Sequence, residues 1–100
     1  MAAVRWTLAA LEDLEAACEY IALDSPLAAA HLNELAFAAT DRLGEFPRSG
    51  RVVPEARRED IREIFVWGYR IVYLLSGDLV VVLTVHHGAR LLDEIPGVPD

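Results

Sequence analysis

From Arg62 to Arg90 the chain reads REIFVWGYRIVYLLSGDLVVVLTVHHGAR, and no other stretch restricts the fold as much. It is rich in β-branched and aromatic residues. Two turn signals, Trp67-Gly68 and Ser76-Gly77-Asp78, divide it. The reading is three strands, Ile61 to Val66, Tyr69 to Leu75 and Leu79 to His87, in an antiparallel meander. Alternation puts Tyr69, Ile71, Tyr73 and Leu75 on one side of the middle strand, with Arg70, Val72 and Leu74 on the other. In the last strand it separates Leu79, Val81, Leu83, Val85 and His87 from Val80, Val82, Thr84 and His86. The helices are expected on the Leu83 face. Both faces of this strand are apolar for most of their length. A sheet covered on one side only should show polar residues on the other. The surplus predicts either an exposed apolar face that awaits a partner or a cover made by loops and the C-terminal tail. The first is the working expectation.

The upstream half supplies helices. Val4 to Thr7 is a short strand candidate anchored by Trp6, and Thr7 can cap the helix that follows. Leu8, Leu11, Leu14, Cys18 and Ile21 recur at three- and four-residue spacing, which predicts one buried helical face. Asp24-Ser25-Pro26 breaks the chain, with Ser25 as N-cap and Pro26 at the first helical position. A second helix is predicted to about Leu43, with Ala28/Ala29, Leu32, Leu35/Ala36 and Ala39 as its stripe. Gly44 suits a left-handed cap. Phe46 to Glu59 reads as irregular, punctuated by Pro47, Gly50 and Pro54. The order is β-α-α-β-β-β: a small α+β domain spanning residues 1–100, a helical hairpin packed on a small antiparallel sheet.

Composition narrows the function. There is no run of about 18 or more apolar residues and no secretory leader pattern. Cys18 has no second cysteine to pair with, which fits a cytoplasmic chain. The net charge is −7, and lysine is absent. An acidic chain is a poor non-specific binder of nucleic acid, so no DNA binding by the chain alone is expected. From Arg48 to Arg62 the sign reverses, with five arginines against Glu55, Glu59 and Asp60.

Catalytic signatures are few. No C-x-x-C, H-E-x-x-H, P-loop or G-x-G-x-x-G occurs. His86 and His87 are strand neighbours that point to opposite faces, and His31 lies on a helix. No metal and no cofactor is expected. Arginine stays charged when partly buried, at a cost unless it is paired. That makes Arg62, Arg70 and Arg90, with Tyr69, Tyr73 and the histidines, the candidates. An arginine beside a histidine or tyrosine could neutralise a scissile phosphate and move a proton. The same arginines could hold carboxylates of a protein partner. They could equally pair internally with Glu63 or Glu55.

An ordered set of short motifs resembles the ParE/RelE superfamily of toxins from bacterial type II toxin–antitoxin modules. The set is Trp6-Thr7, D-L-E-x-x-x-x-Y-I from Asp13 to Ile21, S-P-L-A-A-A from Ser25 to Ala30 and L-x-x-F-P-x-S-G-R from Leu43 to Arg51. Val53-Pro54-Glu55, Arg62-Glu63-Ile64, Y-R-I-V-Y from Tyr69 to Tyr73 and V-x-H-G-A-R from Val85 to Arg90 complete it. The resemblance implies a toxin held inactive by an antitoxin encoded beside it, a ParD-like DNA-binding protein whose extended and helical tail wraps the toxin. ParE-like members poison DNA gyrase, whereas RelE-like members cut messenger RNA on the ribosome. The match puts the family's strand arginines at Arg62 and Arg70 and its ending at His87 and Arg90. RNA cutters tend to place a further tyrosine or histidine near the C-terminus. Here the tail is LLDEIPGVPD, although His86 or Tyr73 could substitute. With no lysine and an acidic balance, gyrase is the expected target, the ribosome and its mRNA the alternative, and a non-toxic dimerising scaffold the third reading. The candidates for target contact or RNA cleavage are Arg62, Arg70, His87, Arg90 and Tyr73.

Overall fold

A computed structural model describes residues 1–88 and 94–99. The elements are β1 (Ala3–Trp6), α1 (Leu8–Ala22), α2 (Pro26–Asp41), a 3-10 turn (Arg42–Gly44), β2 (Arg51–Val52), β3 (Ile61–Val66), β4 (Tyr69–Ser76) and β5 (Leu79–His87). They form two helices on one five-stranded sheet of order β1-β5-β4-β3-β2. The meander is as expected, but the sheet is mixed, because β1 runs parallel to β5. A two-residue β2 adds to the β3 edge inside the stretch expected to be irregular.

Thr7 joins the two layers. Its hydroxyl accepts from the Ala10 amide at 3.1 Å, capping α1, and donates to the Leu83 carbonyl at 3.2 Å. This rotates α1 relative to the leucine stripe. Ala10, Leu14 and Ala17 are buried against the sheet, whereas Leu8 is 72% exposed. Alanine's small side chain allows the backbone to sit close, so Ala10 and Ala17 join Leu14 in the buried stripe while Leu8 and Leu11 stay outside it. In α2 the expected face is met: Ala29, Leu32 and Ala36 are buried, and Ser25 caps the Ala28 amide at 3.1 Å. Gly44 is needed for a different reason than expected. It makes no left-handed cap. Its carbonyl accepts from Ala2 at 2.8 Å, and a Cβ there would come within 2.9 Å of the Ala2 oxygen.

A β-bulge corrects the predicted faces of β5. Val72 lies opposite Thr84 but Tyr73 lies opposite Val82, which leaves Leu83 as the extra residue. Val80, Val82 and Val85 therefore pack on the helix side. Leu83 joins Val53, Ile61, Val72 and Leu74 on the opposite face. That face is not an exposed apolar surface. Val53 and Ala56 of the preceding loop, and Ile95 and Val98 of the tail, cover it, leaving Leu83 only 1% exposed. Arg58 secures the tail by donating to the Pro99 carbonyl at 2.7 Å.

Candidate functional site

Arg70, the second residue of the middle strand β4, lies on the sheet face opposite the helices, near the Trp67-Gly68 turn. Its Nε donates to Glu63 Oε1 at 2.6 Å, and its two terminal nitrogens donate to Glu55 Oε2 and Oε1 at 2.7 and 2.8 Å. Both strand position and loop geometry produce this. Glu63 sits on β3 next to the β4 strand that carries Arg70. A turn in which Ala56 and Arg57 both donate to the Val53 carbonyl carries Glu55. Glu63 Oε2 also accepts from Arg51 Nε at 2.6 Å, and the Arg51 guanidinium lies 5.1 Å from the Phe65 ring centre. Arg51, Glu63, Arg70 and Glu55 are therefore linked in one ionic network. The Glu55 and Glu63 hydrogen bonds push the Arg70 pKa above its ordinary value despite burial.

Arg62 and Tyr73 are also built into the frame. Arg62 donates to the Glu59 carbonyl at 3.0 Å, to the Arg48 and Gly50 carbonyls at 3.3 and 3.0 Å, and to Glu59 Oε2 at 3.1 Å. It stitches the loop before β2 to β3. Tyr73 is fully buried; its hydroxyl donates to the Pro47 carbonyl at 2.7 Å and accepts from the Gly50 amide at 3.0 Å. Burial raises its pKa. A Cβ at position 50 would lie 2.5 Å from that hydroxyl, so only glycine fits. Both side chains spend their hydrogen bonds on protein groups.

His87 is placed differently. It ends β5, is exposed, and meets Tyr69 edge-on at 5.3 Å. With Asp13, Tyr20, Tyr69 and His86 it lines an open cleft of about 630 Å³ beside α1. Asp13 bridges the bulge, accepting from the Thr84 hydroxyl at 2.6 Å and the Val85 amide at 3.1 Å. His31 lies elsewhere, edge-on to Trp67 at 5.4 Å. Arg90, the remaining sequence candidate, lies outside the described residues. The structure thus brings Arg70 together with Glu55 and Glu63, Tyr73 with the loop that Arg62 holds, and His87 with Tyr69. It does not gather Arg62, Arg70, Tyr73 and His87 into one reactive centre. Arg51 was not among the sequence candidates; its place opposite Glu63 depends on a strand too short to show periodicity.

Residues 4–92 match the family model described as the ParE toxin of the type II toxin–antitoxin system parDE. The chain belongs to the ParE toxin family. A relative named toxin RelE2, from Caulobacter vibrioides, is 40% identical over 91% of this chain and 100% of its own length. Among solved structures, this ParE-family chain is similar to one from the chromosomal ParDE system of P. aeruginosa. That match has a TM-score of 0.72 at 20% identity and covers 87% of this chain and 96% of the other. It is also similar to one from the toxin–antitoxin complex RelBE2 of Mycobacterium tuberculosis, with a TM-score of 0.54 at 29% identity over 86% and 96% of the two chains. The fold is thus the ParE/RelE arrangement of a helical hairpin on a mixed sheet. Among the described residues no helix is long and apolar enough to cross a membrane.

Proposed function

We propose that this ParE-family toxin is held inactive by a cognate ParD-like antitoxin in the cytoplasm and, when released, acts on DNA gyrase and so blocks replication, without cleaving RNA. The observation that carries the choice is the state of Arg70. A guanidinium that neutralises a scissile phosphate needs donors free to reach it. Here Arg70 is held by three short hydrogen bonds to two carboxylates, and an anion approaching it would meet the more exposed Glu55 carboxylate. The Tyr73 hydroxyl is buried and committed to backbone groups, so it has no proton to pass to a substrate. A net charge of −7 further opposes docking on ribosomal RNA. The antitoxin rests on family membership and on the toxin–antitoxin systems in which both structural neighbours were solved.

The name of the Caulobacter relative and the RelBE2 likeness favour ribosome-dependent cleavage as a second reading. On that reading His87 and Tyr69 would serve as the proton-handling pair. Controlled induction in a bacterial host separates the two. Filamentation with a DNA-damage response, and loss of supercoiling by purified gyrase on adding the chain, is the expected result. Rapid translational arrest with cleaved messages, abolished by His87→Ala, would overturn it in favour of RNA cleavage. A stable, harmless homodimer would favour the scaffold.

A further inference from the structure

The β-bulge at Leu83 anchors a carboxylate beside an open cleft. Where β5 carries its extra residue, the Thr84 hydroxyl and the Val85 amide both donate to Asp13 Oδ2, at 2.6 and 3.1 Å. Two bonds to the sheet fix the Asp13 side chain in place. Its other oxygen, Oδ1, takes no hydrogen bond from any described residue. Asp13 lines the cleft of about 630 Å³ between α1 and the sheet.

The cleft is built from both layers. In α1, Asp13, Ala16, Ala17 and Tyr20 stand at i, i+3, i+4 and i+7, and so share one helical face. The two alanines leave the space open, and Tyr20 is 73% exposed beside it. From the sheet come Tyr69 and His87, cross-strand partners whose rings meet edge-on at 5.3 Å. Aromatic rings around a carboxylate define the guest. Ring faces attract a cation, above all the planar guanidinium, which stacks on them. A carboxylate oxygen with unused lone pairs accepts its N–H donors. No arginine among the described residues lines the cleft, and α1 carries four acids and no basic group. A phosphate would be repelled there.

We infer that this cleft receives an arginine side chain of the toxin's protein target, its guanidinium laid against the tyrosine rings and hydrogen-bonded to Asp13 Oδ1. A free arginine fits poorly, because its own carboxylate would find no cationic group among the lining residues. A side chain carried on a protein has no such charge. An enzyme that grips DNA displays arginines to the phosphates, and a chain of net −7 suits that surface. The inference rests on the gyrase reading above and gives its recognition chemistry.

The test is the affinity of the full chain and three variants for purified gyrase, with ring resonances followed by NMR during titration with arginine amide. Asp13→Asn keeps a carbonyl oxygen for Thr84 and Val85 but replaces Oδ1 with a donor, and should weaken gyrase binding by about tenfold or more. Tyr20→Ala, at an exposed position, should do the same, and it keeps the test decisive if Asp13→Asn loses the fold. Phe46→Ala, equally an exposed aromatic but outside the cleft, should stay within about twofold. Arginine amide should shift the Tyr20, Tyr69 and His87 rings of the parent chain, and uridine monophosphate should leave them in place. Gyrase binding by the parent that folded Tyr20→Ala and Asp13→Asn retain in full overturns the cleft and leaves the target reading standing. A parent chain that does not bind gyrase overturns the target reading and the cleft with it. Ring shifts produced by the nucleotide instead of arginine amide would assign the cleft to RNA and overturn the proposal. Variants that lose the antitoxin but keep gyrase would also overturn it.

Discussion

Arg70→Ala isolates the energetics of the buried network. The substitution leaves Glu63, whose side chain is wholly buried, with Arg51 as its remaining ionic partner. Glu55 is 28% exposed and can regain water, so its share of the loss is small. Breaking a buried pair by removing one partner costs about 3–5 kcal/mol, because the other charge stays behind in a poor medium. With a urea slope of about 2 kcal/mol/M, the midpoint should fall by about 2 M. The melting temperature should fall by roughly 15–30 °C. Any loss of toxicity should then track the folded fraction. The double variant Arg70→Met with Glu63→Leu removes both charges and should recover most of the loss. A single variant destabilised by less than about 1 kcal/mol yet inert in cells would refute the reasoning and return Arg70 to a role in target contact.

Tyr73→Phe should cost about 1–3 kcal/mol in urea unfolding, since the Gly50 amide loses its acceptor in a buried setting. Burial raises the Tyr73 pKa above its ordinary value of about 10, so its stabilising contribution is fully present below pH 10 and is lost as pH climbs through the raised value. The stability lost as pH climbs through that range, read by urea unfolding at each pH with circular dichroism, should therefore be smaller in Tyr73→Phe than in the parent chain. Thr7→Ala removes the α1 cap and the link to Leu83, and should cost about 1–2 kcal/mol by thermal melting. Leu83→Asp puts a charge under the tail segment at a site 1% exposed, so circular dichroism should report an unfolded chain. Truncation after residue 93 should instead leave a folded protein with increased binding of a hydrophobic dye.

The architecture was legible where periodicity and turn chemistry agreed. Ser25-Pro26 marks the start of α2, and the three meander strands were placed to within a residue. Three features escaped for physical reasons. In β5, apolar residues occupy both faces, so nothing in the pattern marks the bulge at Leu83 that reverses the alternation. The parallel partner of β1 is about as far away in sequence as this chain allows, and no local signal encodes it. The cover over the second sheet face comes from Val53, Ala56, Ile95 and Val98, scattered apolar residues in segments without a period. For the candidate site, the sequence singled out Arg70 and named Glu63 and Glu55 as possible partners, but left its role open. An arginine beside glutamates on neighbouring strands can be a buried pair or an open anion site. Only the register that sets Glu63 beside Arg70, together with the turn carrying Glu55, decides between them.

Because β1 is seated against the last strand, synthesis and closure run in opposite order. The first structured residues, Ala3 to Trp6, have no β partner until Leu79 to Val82 have been made. Such long-range pairing is slow compared with helix formation. A ribosome partway through the message holds a helical hairpin and an unfinished sheet, which is not yet a weapon. A chain released before residue 79 lacks the partner of β1, so under the proposed function this topology ties toxicity to a polypeptide extended through β5.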